Sequence, residues 1–232
     1  MTWQQDLLLT QRSILENNND PFYADKYFSD ELHYWYHIPE YIALDSVENN
    51  VYNVLDVGCG YGTLLLFAKN HYKCNVYGID VSNKLGKLQN KININFTLCN
   101  IERDNPQFKV RFDRIIFTEV LEHLTTCPIN ILNKLTSMLS ADGKMFLSTP
   151  NPTSPIPSKF NWGRNEKYFK HLGEFPREYS LTLHHNPDEH AYHYSEGELK
   201  FVIDKAGLKI DKMDIHQPPS WGSHFNMQLS KK

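Results

Sequence analysis

The chain reads as an α/β protein: a seven-stranded, mostly parallel sheet with helices on both faces and a closing antiparallel hairpin. Three observations predict this. Short apolar strand candidates alternate with helical stretches along the 232 residues, the pattern of a parallel sheet covered on both faces. The first strand, within Val54-Leu55-Asp56-Val57-Gly58-Cys59-Gly60-Tyr61-Gly62, runs into a glycine-rich turn and then a helix. The second, within Tyr77-Gly78-Ile79-Asp80, ends in a carboxylate. In a right-handed βαβ unit those two strand ends lie side by side. Turn and acid then meet at the crevice where open α/β sheets take ligands.

The elements follow in order. Residues 1–20 hold a short amphipathic helix with Leu7, Leu8, Ile14 and Leu15 as apolar points, stopped by Asn17-Asn18-Asn19-Asp20. Residues 22–47 are rich in aromatics and predict one or two helices broken near Pro39. Strands are expected over 52–57, 75–80, 92–98, 113–118 and 144–149, with helices over 63–70 and 128–139. The second of these helices meets the stop signal Ala141-Asp142-Gly143. A helix over 196–206 ends at Gly207, and strands 208–216 and 224–230 form the hairpin. The chain thus divides into an N-terminal helical lid (1–50), a core (51–150), an insertion (151–193) and a C-terminal helix with hairpin (194–232), all in one domain. The insertion carries five prolines, Phe160, Trp162, Tyr168, Phe169, Phe175, Tyr179 and histidines 171, 184, 185, 190 and 193. It follows the fifth strand on the ligand side of the sheet and is expected to bind an acceptor.

Composition bounds the partners. A net charge of −3 advertises neither nucleic acid nor an anionic membrane. Cys59, Cys74, Cys99 and Cys127 form no C-x-x-C pair and read as reduced thiols. No run of 18 apolar residues and no secretory leader pattern occurs. The expectation is a soluble cytoplasmic protein.

The turn narrows the ligand. Asp80 at the crevice suits a ribose diol, which marks a nucleoside site. The pattern Asp-x-Gly-x-Gly-x-Gly differs from the G-x-G-x-x-G that cradles a pyrophosphate. An acid at position 56 opposes phosphate and suits an ammonium or sulfonium group.

With the later block Glu119-Val120-Leu121-Glu122-His123, these motifs resemble the class I S-adenosylmethionine-dependent methyltransferases, from about residue 51 to the C-terminus. The resemblance implies a Rossmann-like methyltransferase fold with S-adenosyl-L-methionine as cofactor. Gly58, Gly60 and Gly62 would pack beneath the methionine moiety, with Asp56 close to its amino group and Cys59 among the cofactor-binding residues. Asp80 would hold the ribose and Val81 would lie against the adenine. Asn100 stands where the family often has an aspartate for the adenine amino group, with Ile101 beside it. Thr118 and Glu119 would reach the methionine end. The lid would pack across the cofactor pocket.

Methyl transfer to a hydroxyl needs a base, and histidine suits neutral pH. His190 is the leading candidate, followed by His123. The block also resembles the metal-binding part of the small-RNA 3′-terminal 2′-O-methyltransferases. That likeness implies Glu119, Glu122, His123 and His190 as ligands of a divalent ion. The sequence disfavours this: the insertion's basic residues Lys159, Arg164, Lys167, Lys170 and Arg177 are offset by Glu166, Glu174 and Glu178.

The expected function is methylation of a small polar acceptor, more readily at oxygen than nitrogen: a sugar, a sugar-linked intermediate or a secondary metabolite. The alternatives are a metal-assisted RNA 2′-O-methyltransferase and a non-catalytic cofactor-binding partner subunit. Nucleic-acid and membrane partners are not expected.

Overall fold

The computed structural model describes residues 2–18, 20–86, 88–153, 168–179, 189–218 and 222–232. Much of the expected acceptor insertion, including Lys159, Phe160, Trp162, Arg164, Glu166, Lys167, His184 and His185, lies outside the described residues.

Seven strands form one sheet: β1 (Asn53–Val57), β2 (Asn75–Asp80), β3 (Ile94–Leu98), β4 (Phe112–Thr118), β5 (Leu139–Pro150), β6 (Leu208–His216) and β7 (His224–Lys231). Their order is β3-β2-β1-β4-β5-β7-β6. Strands β1 to β5 pair in parallel, and β7 runs antiparallel between β5 and β6. The order reverses between β1 and β4, which opens the crevice at their carboxyl ends.

Side chains alternate across the strands and feed two cores. Leu55, Ile115, Phe117, Met145 and Leu147 share one buried cluster with Ile131, Leu132 and Leu135 of α6 (Pro128–Met138) and Leu199 and Val202 of α7 (Glu196–Lys205). Val54, Val76, Ile116 and Phe146 share the other with Ile38 and Ile42 of α3 (His37–Glu48) and Leu64, Leu65 and Phe67 of α4 (Thr63–Tyr72). Helix α7 opens with a reciprocal cap, Ser195 and Glu198 each bonding the other's amide.

The N-terminal segment forms α1 (Trp3–Asn17), a π-helical turn (Tyr23–Tyr27), α2 (Phe28–Tyr34) and α3. The expected break at Pro39 falls earlier. Trp35 leaves helical geometry at φ −130°, ψ 39°, and Pro39 sits inside the first turn of α3. A first-turn amide has no intrahelical acceptor, so proline costs nothing there. A second difference concerns Asp142-Gly143: α6 stops at Met138, and β5 already runs from Leu139. Leu139 pairs with Phe112 across an irregularity in the ladder. Among the described residues three short helices went unforeseen, α5 (Leu88–Lys91) and 3₁₀ turns at Leu121–His123 and Leu172–Glu174. No helix among the described residues is long and apolar enough to cross a membrane.

Candidate active site

A cavity of about 950 Å³ lies at the carboxyl ends of β1, β2 and β4. Its floor is the glycine turn. Gly58, Gly60 and Gly62 have φ of 78°, 49° and 83°, where a side chain is strained. They serve different ends. A Cβ on Gly58 would meet Val120 Cγ2 at 2.3 Å, and one on Gly62 would meet Leu85 Cδ2 at 2.5 Å. Those two glycines make room for the protein's own packing. A Cβ on Gly60 would meet nothing within 4 Å, and Gly60 lines the cavity whereas Gly62 does not.

The turn and β2 are joined directly. Asp80 Oδ2 accepts the Gly60 N–H at 2.9 Å, and Oδ1 accepts the Ser82 N–H at 2.8 Å. The carboxylate is therefore fixed at the crevice. Val81 and Ile101 line the same end as apolar walls. Asn100 lines it too, but its Oδ1 already accepts the Glu102 N–H at 2.9 Å, leaving one lone pair for a ligand.

Asp56, Cys59 and Thr118 lie outside the lining. Asp56 is 3% exposed and its Oδ1 has no hydrogen-bond partner among the described residues. Burial, then the nearby Asp80, raises its carboxyl well above the usual range. Cys59 is buried with its thiol likewise raised by burial, and Thr118 pairs with Ser148 in the sheet.

The far end of the cavity is built around β4. Glu119 has φ 53°, uncommon for a non-glycine residue. Its amide donates to the Ser148 carbonyl at 3.0 Å, and its Oε1 accepts the Ser148 hydroxyl at 2.7 Å. Its Oε2 lies 3.3 Å from Nε2 of the fully buried His224. Glu122 is fully buried and accepts the Thr149 hydroxyl at 3.0 Å. Burial, then the adjacent Glu119, raises its carboxyl well above the usual range.

The histidines are brought in from far along the chain. The Glu122 carbonyl accepts the N–H groups of Ala191 and Tyr192 at 2.7 and 3.0 Å. His123 and His190 thereby stand ring-edge to ring-face, 4.8 Å between centroids. His123 Nδ1 lies 2.9 Å from the Glu189 carbonyl, so Nδ1 carries the proton and Nε2 faces Glu122 Oε1 at 3.9 Å. His190 Nδ1 lies 2.7 Å from His193 Nε2.

Of the four expected metal ligands, the structure gathers three. Glu122, His123 and His190 each offer a ligand atom within 4.8 Å of the others. Both Glu119 oxygens are instead engaged with Ser148 and His224.

Several contributors were foreseen only as members of the lid or the insertion, or not at all. Tyr27, Asp30 and Tyr34 from the lid, Glu102 and Tyr179 also line the cavity. The aromatic density of residues 22–47 signalled the first group in kind, but only the packed helices select which rings face inward. Ser148 and His224 support the site from positions no motif marks, and His193 supports it from the insertion.

The cavity fits an S-adenosylmethionine-type ligand. An open cradle at Gly60, a fixed carboxylate at Asp80 and flanking apolar walls match a nucleoside.

Comparison with known proteins agrees with this geometry. The sequence model of the methyltransferase domain family matches residues 25–213. A ubiquinone biosynthesis O-methyltransferase from Xanthomonas campestris is 33% identical over 106 residues, 43% of this chain and 44% of that protein. A sphingolipid C9-methyltransferase from Komagataella phaffii is 32% identical over 109 residues, 40% of this chain and 22% of that protein. The match thus spans less than half the length of these curated relatives. Among solved structures, the Burkholderia thailandensis 1,6-didemethyltoxoflavin-N1-methyltransferase with bound S-adenosylhomocysteine superimposes with a TM-score of 0.65 at 15% identity. That alignment covers 97% of this chain and 88% of the other. The Bradyrhizobium japonicum N-methyltransferase NodS with S-adenosylhomocysteine gives 0.59 at 17% identity, covering 96% and 98%. With the family match spanning most of the chain, the protein belongs to the methyltransferase domain family, among the class I S-adenosylmethionine-dependent methyltransferases.

Proposed function

We propose that this protein methylates a small polar acceptor at a hydroxyl oxygen, using S-adenosylmethionine; the acceptor is a sugar, a sugar-linked intermediate or a secondary metabolite. One observation carries this reading. A single cavity joins a nucleoside-type end at Gly60, Asp80, Val81 and Ile101 to a carboxyl and imidazole end at Glu119, Glu122, His123 and His190. The open cavity also speaks against a non-catalytic subunit.

When bound, S-adenosylmethionine supplies a methyl carbon on a sulfonium leaving group. Asp80 would hold the ribose hydroxyls, and Val81 and Ile101 would flank the base. The lid tyrosines Tyr27 and Tyr34 narrow the space around donor and acceptor and exclude water. Transfer would leave a neutral thioether and a methylated acceptor oxygen, so the protein's part is to align donor and acceptor and to remove the acceptor's proton. His190 takes the acceptor proton, with His123 next in line. Most of the rate comes from holding the reacting atoms in line, because the leaving group is already activated.

A second reading, metal-assisted 2′-O-methylation of RNA, is favoured by the gathering of Glu122, His123 and His190. That set suits a divalent ion held next to an acceptor oxygen. A cytoplasmic location accompanies either reading and is supported by free cysteines at 59, 74, 99 and 127.

The experiment has two stages. Calorimetry with S-adenosylhomocysteine tests the cofactor end. Transfer of a labelled methyl group to a panel of sugars, phenols and short RNAs then identifies the acceptor. Absence of cofactor binding by the folded wild type overturns the reading, and transfer to RNA alone replaces the first acceptor class by the second.

A further inference from the structure

One buried carboxyl takes no part in this scheme. Glu31, on α2, is 2% exposed. Gln11 Nε2 of α1 donates to its Oε1 at 2.8 Å, and the Tyr23 hydroxyl donates to the same oxygen at 3.0 Å. The Thr63 hydroxyl donates to its Oε2 at 2.9 Å. Thr63 is the first residue of α4 and directly follows the glycine turn. Three separate segments thus converge on one side chain, and one of them, the start of α4, directly follows the glycine turn.

The turn is also held on its other side. The Tyr61 hydroxyl donates to Asp20 Oδ2 at 2.7 Å. The Tyr61 ring lies 4.7 Å from that of Tyr23 and 5.3 Å from that of Tyr27. The segment that grips the turn also supplies Tyr27 and Asp30 to the cavity wall. A carboxyl buried this deeply costs free energy unless its bonds are kept. Parting the lid from α4 would remove the Thr63 bond and open the Tyr61 contacts together.

We propose that Glu31 is a positioning residue for cofactor binding, locking the N-terminal lid onto the glycine turn through Thr63 so that lid closure and turn geometry act as one unit. This rests on the cofactor reading given above.

The carboxyl's own chemistry supplies a signature. Burial pushes Glu31 up to about 7, against the lowering effect of the Gln11, Thr63 and Tyr23 hydrogen bonds. The titratable groups facing it are Tyr23 and Tyr27, both raised by burial and by Glu31, and so neutral through this range. Gln11 and Thr63 carry no charge. In an opened lid Glu31 returns toward the ordinary glutamate value of about 4.3. The closed lid is the form with the raised value. Its advantage is complete below about 4.3 and is lost as pH rises through about 7, by up to about tenfold per pH unit.

The test measures two things on the full chain at pH 6, 7 and 8.5: S-adenosylhomocysteine affinity by calorimetry and amide exchange of residues 1–48. In the wild type, affinity and lid protection should both fall as pH rises. Glu31→Gln should bind within about twofold of wild type at pH 6 and show no decline above it. At pH 6, where the buried carboxyl is still protonated, Glu31→Ala and Thr63→Val should weaken binding about threefold to tenfold, as expected for a lost hydrogen bond between neutral groups. Thr63→Val is near-isosteric and keeps the test open if Glu31→Ala does not fold. Wild-type affinity and exchange in Thr63→Val, or an unchanged pH profile in Glu31→Gln, would overturn the proposal. Absence of ligand binding by the wild type would defeat the cofactor reading instead, while exchange of the lid would still judge the latch.

Discussion

The main-chain carbonyl of Glu122 accepts the amide of Ala191 at 2.7 Å. Tyr192 shares the same acceptor. This tie fixes the turn after β4 against a segment nearly seventy residues further on, and it seats His190 beside His123. The imidazole pair is thus a product of backbone pairing, and side-chain substitutions on it should leave the fold in place.

Asp80 should govern cofactor affinity. Its two oxygens are held by the Gly60 and Ser82 amides, which aims the carboxylate and holds the turn at once. Asp80→Ala should weaken S-adenosylhomocysteine binding by about 1.5–3 kcal/mol, the value of a hydrogen bond to a charged group. Equal affinities of mutant and wild type in calorimetry would remove Asp80 from the site.

The glycines should separate by purpose. Gly58→Ala should destabilise the fold, since its Cβ would lie 2.3 Å from Val120 Cγ2 at φ 78°. Adding Val120→Ala should recover part of that loss and leave the backbone strain, about 1–2 kcal/mol. Gly60→Val should fold and yet lose S-adenosylhomocysteine binding, because its Cβ would project into open cavity. Thermal melts paired with calorimetry check both, and retained binding in Gly60→Val would mean the cofactor takes another path.

Asp45 should be a stability residue with an acid signature. It is 4% exposed and takes Arg114 through two nitrogens at 2.6 and 3.0 Å, Lys144 at 2.9 Å and the Tyr72 hydroxyl at 2.9 Å. Burial alone would raise its carboxyl, but Arg114 and then Lys144 and Tyr72 hold it below the usual value. A depressed native value stabilises above the unfolded value and is lost as pH falls through the native one. Asp45→Ala should cost about 3–5 kcal/mol at pH 7, since Arg114 is left buried without its partner. The gap between mutant and wild type in urea unfolding should narrow below about pH 4. A constant gap would place the loss in packing instead of charge.

Much of this molecule was legible in its sequence, and the illegible parts have physical causes. Strands such as Val76 to Ile79 are apolar and bounded by turns, so their pairing follows from pattern and handedness. The glycine turn and Asp80 are local motifs whose neighbours in space are fixed by one βαβ unit. Pro39 was misread because a proline in a first turn and one that breaks a helix look alike in sequence. Glu31 gave no signal, since its three donors at Gln11, Tyr23 and Thr63 come together only through the packing of the lid. Likewise, nothing in Glu119-Val120-Leu121-Glu122-His123 indicates that Glu119 turns to Ser148 and His224 while Glu122 faces the histidines. Local motifs report residue types, and the backbone at φ 53° decides where Glu119 points.

His190 should decide between base and metal chemistry. Its Nδ1 is 2.7 Å from His193 Nε2, so one ring donates to the other and the His190 ring is oriented from behind. As a general base, His190→Ala should keep cofactor affinity within about twofold and cut turnover about 10²–10⁴-fold. Chelator should then have no effect, and Glu122→Ala should chiefly lower the melting temperature. As a metal ligand, His190 belongs to a set with Glu122 and His123. Chelator should then reproduce the His190→Ala defect, added divalent ion should reverse it in the wild type, and Glu122→Ala should be equally damaging, because ligands of one ion act as a unit. His193→Phe separates the cases further. It removes the partner that orients His190, so a base should lose turnover without losing metal content. Metal analysis of the purified protein can precede any knowledge of the acceptor. An unaltered rate in His190→Ala, with no metal bound, would make this histidine structural and transfer the base role to His123, whose Nδ1 proton is held on the Glu189 carbonyl.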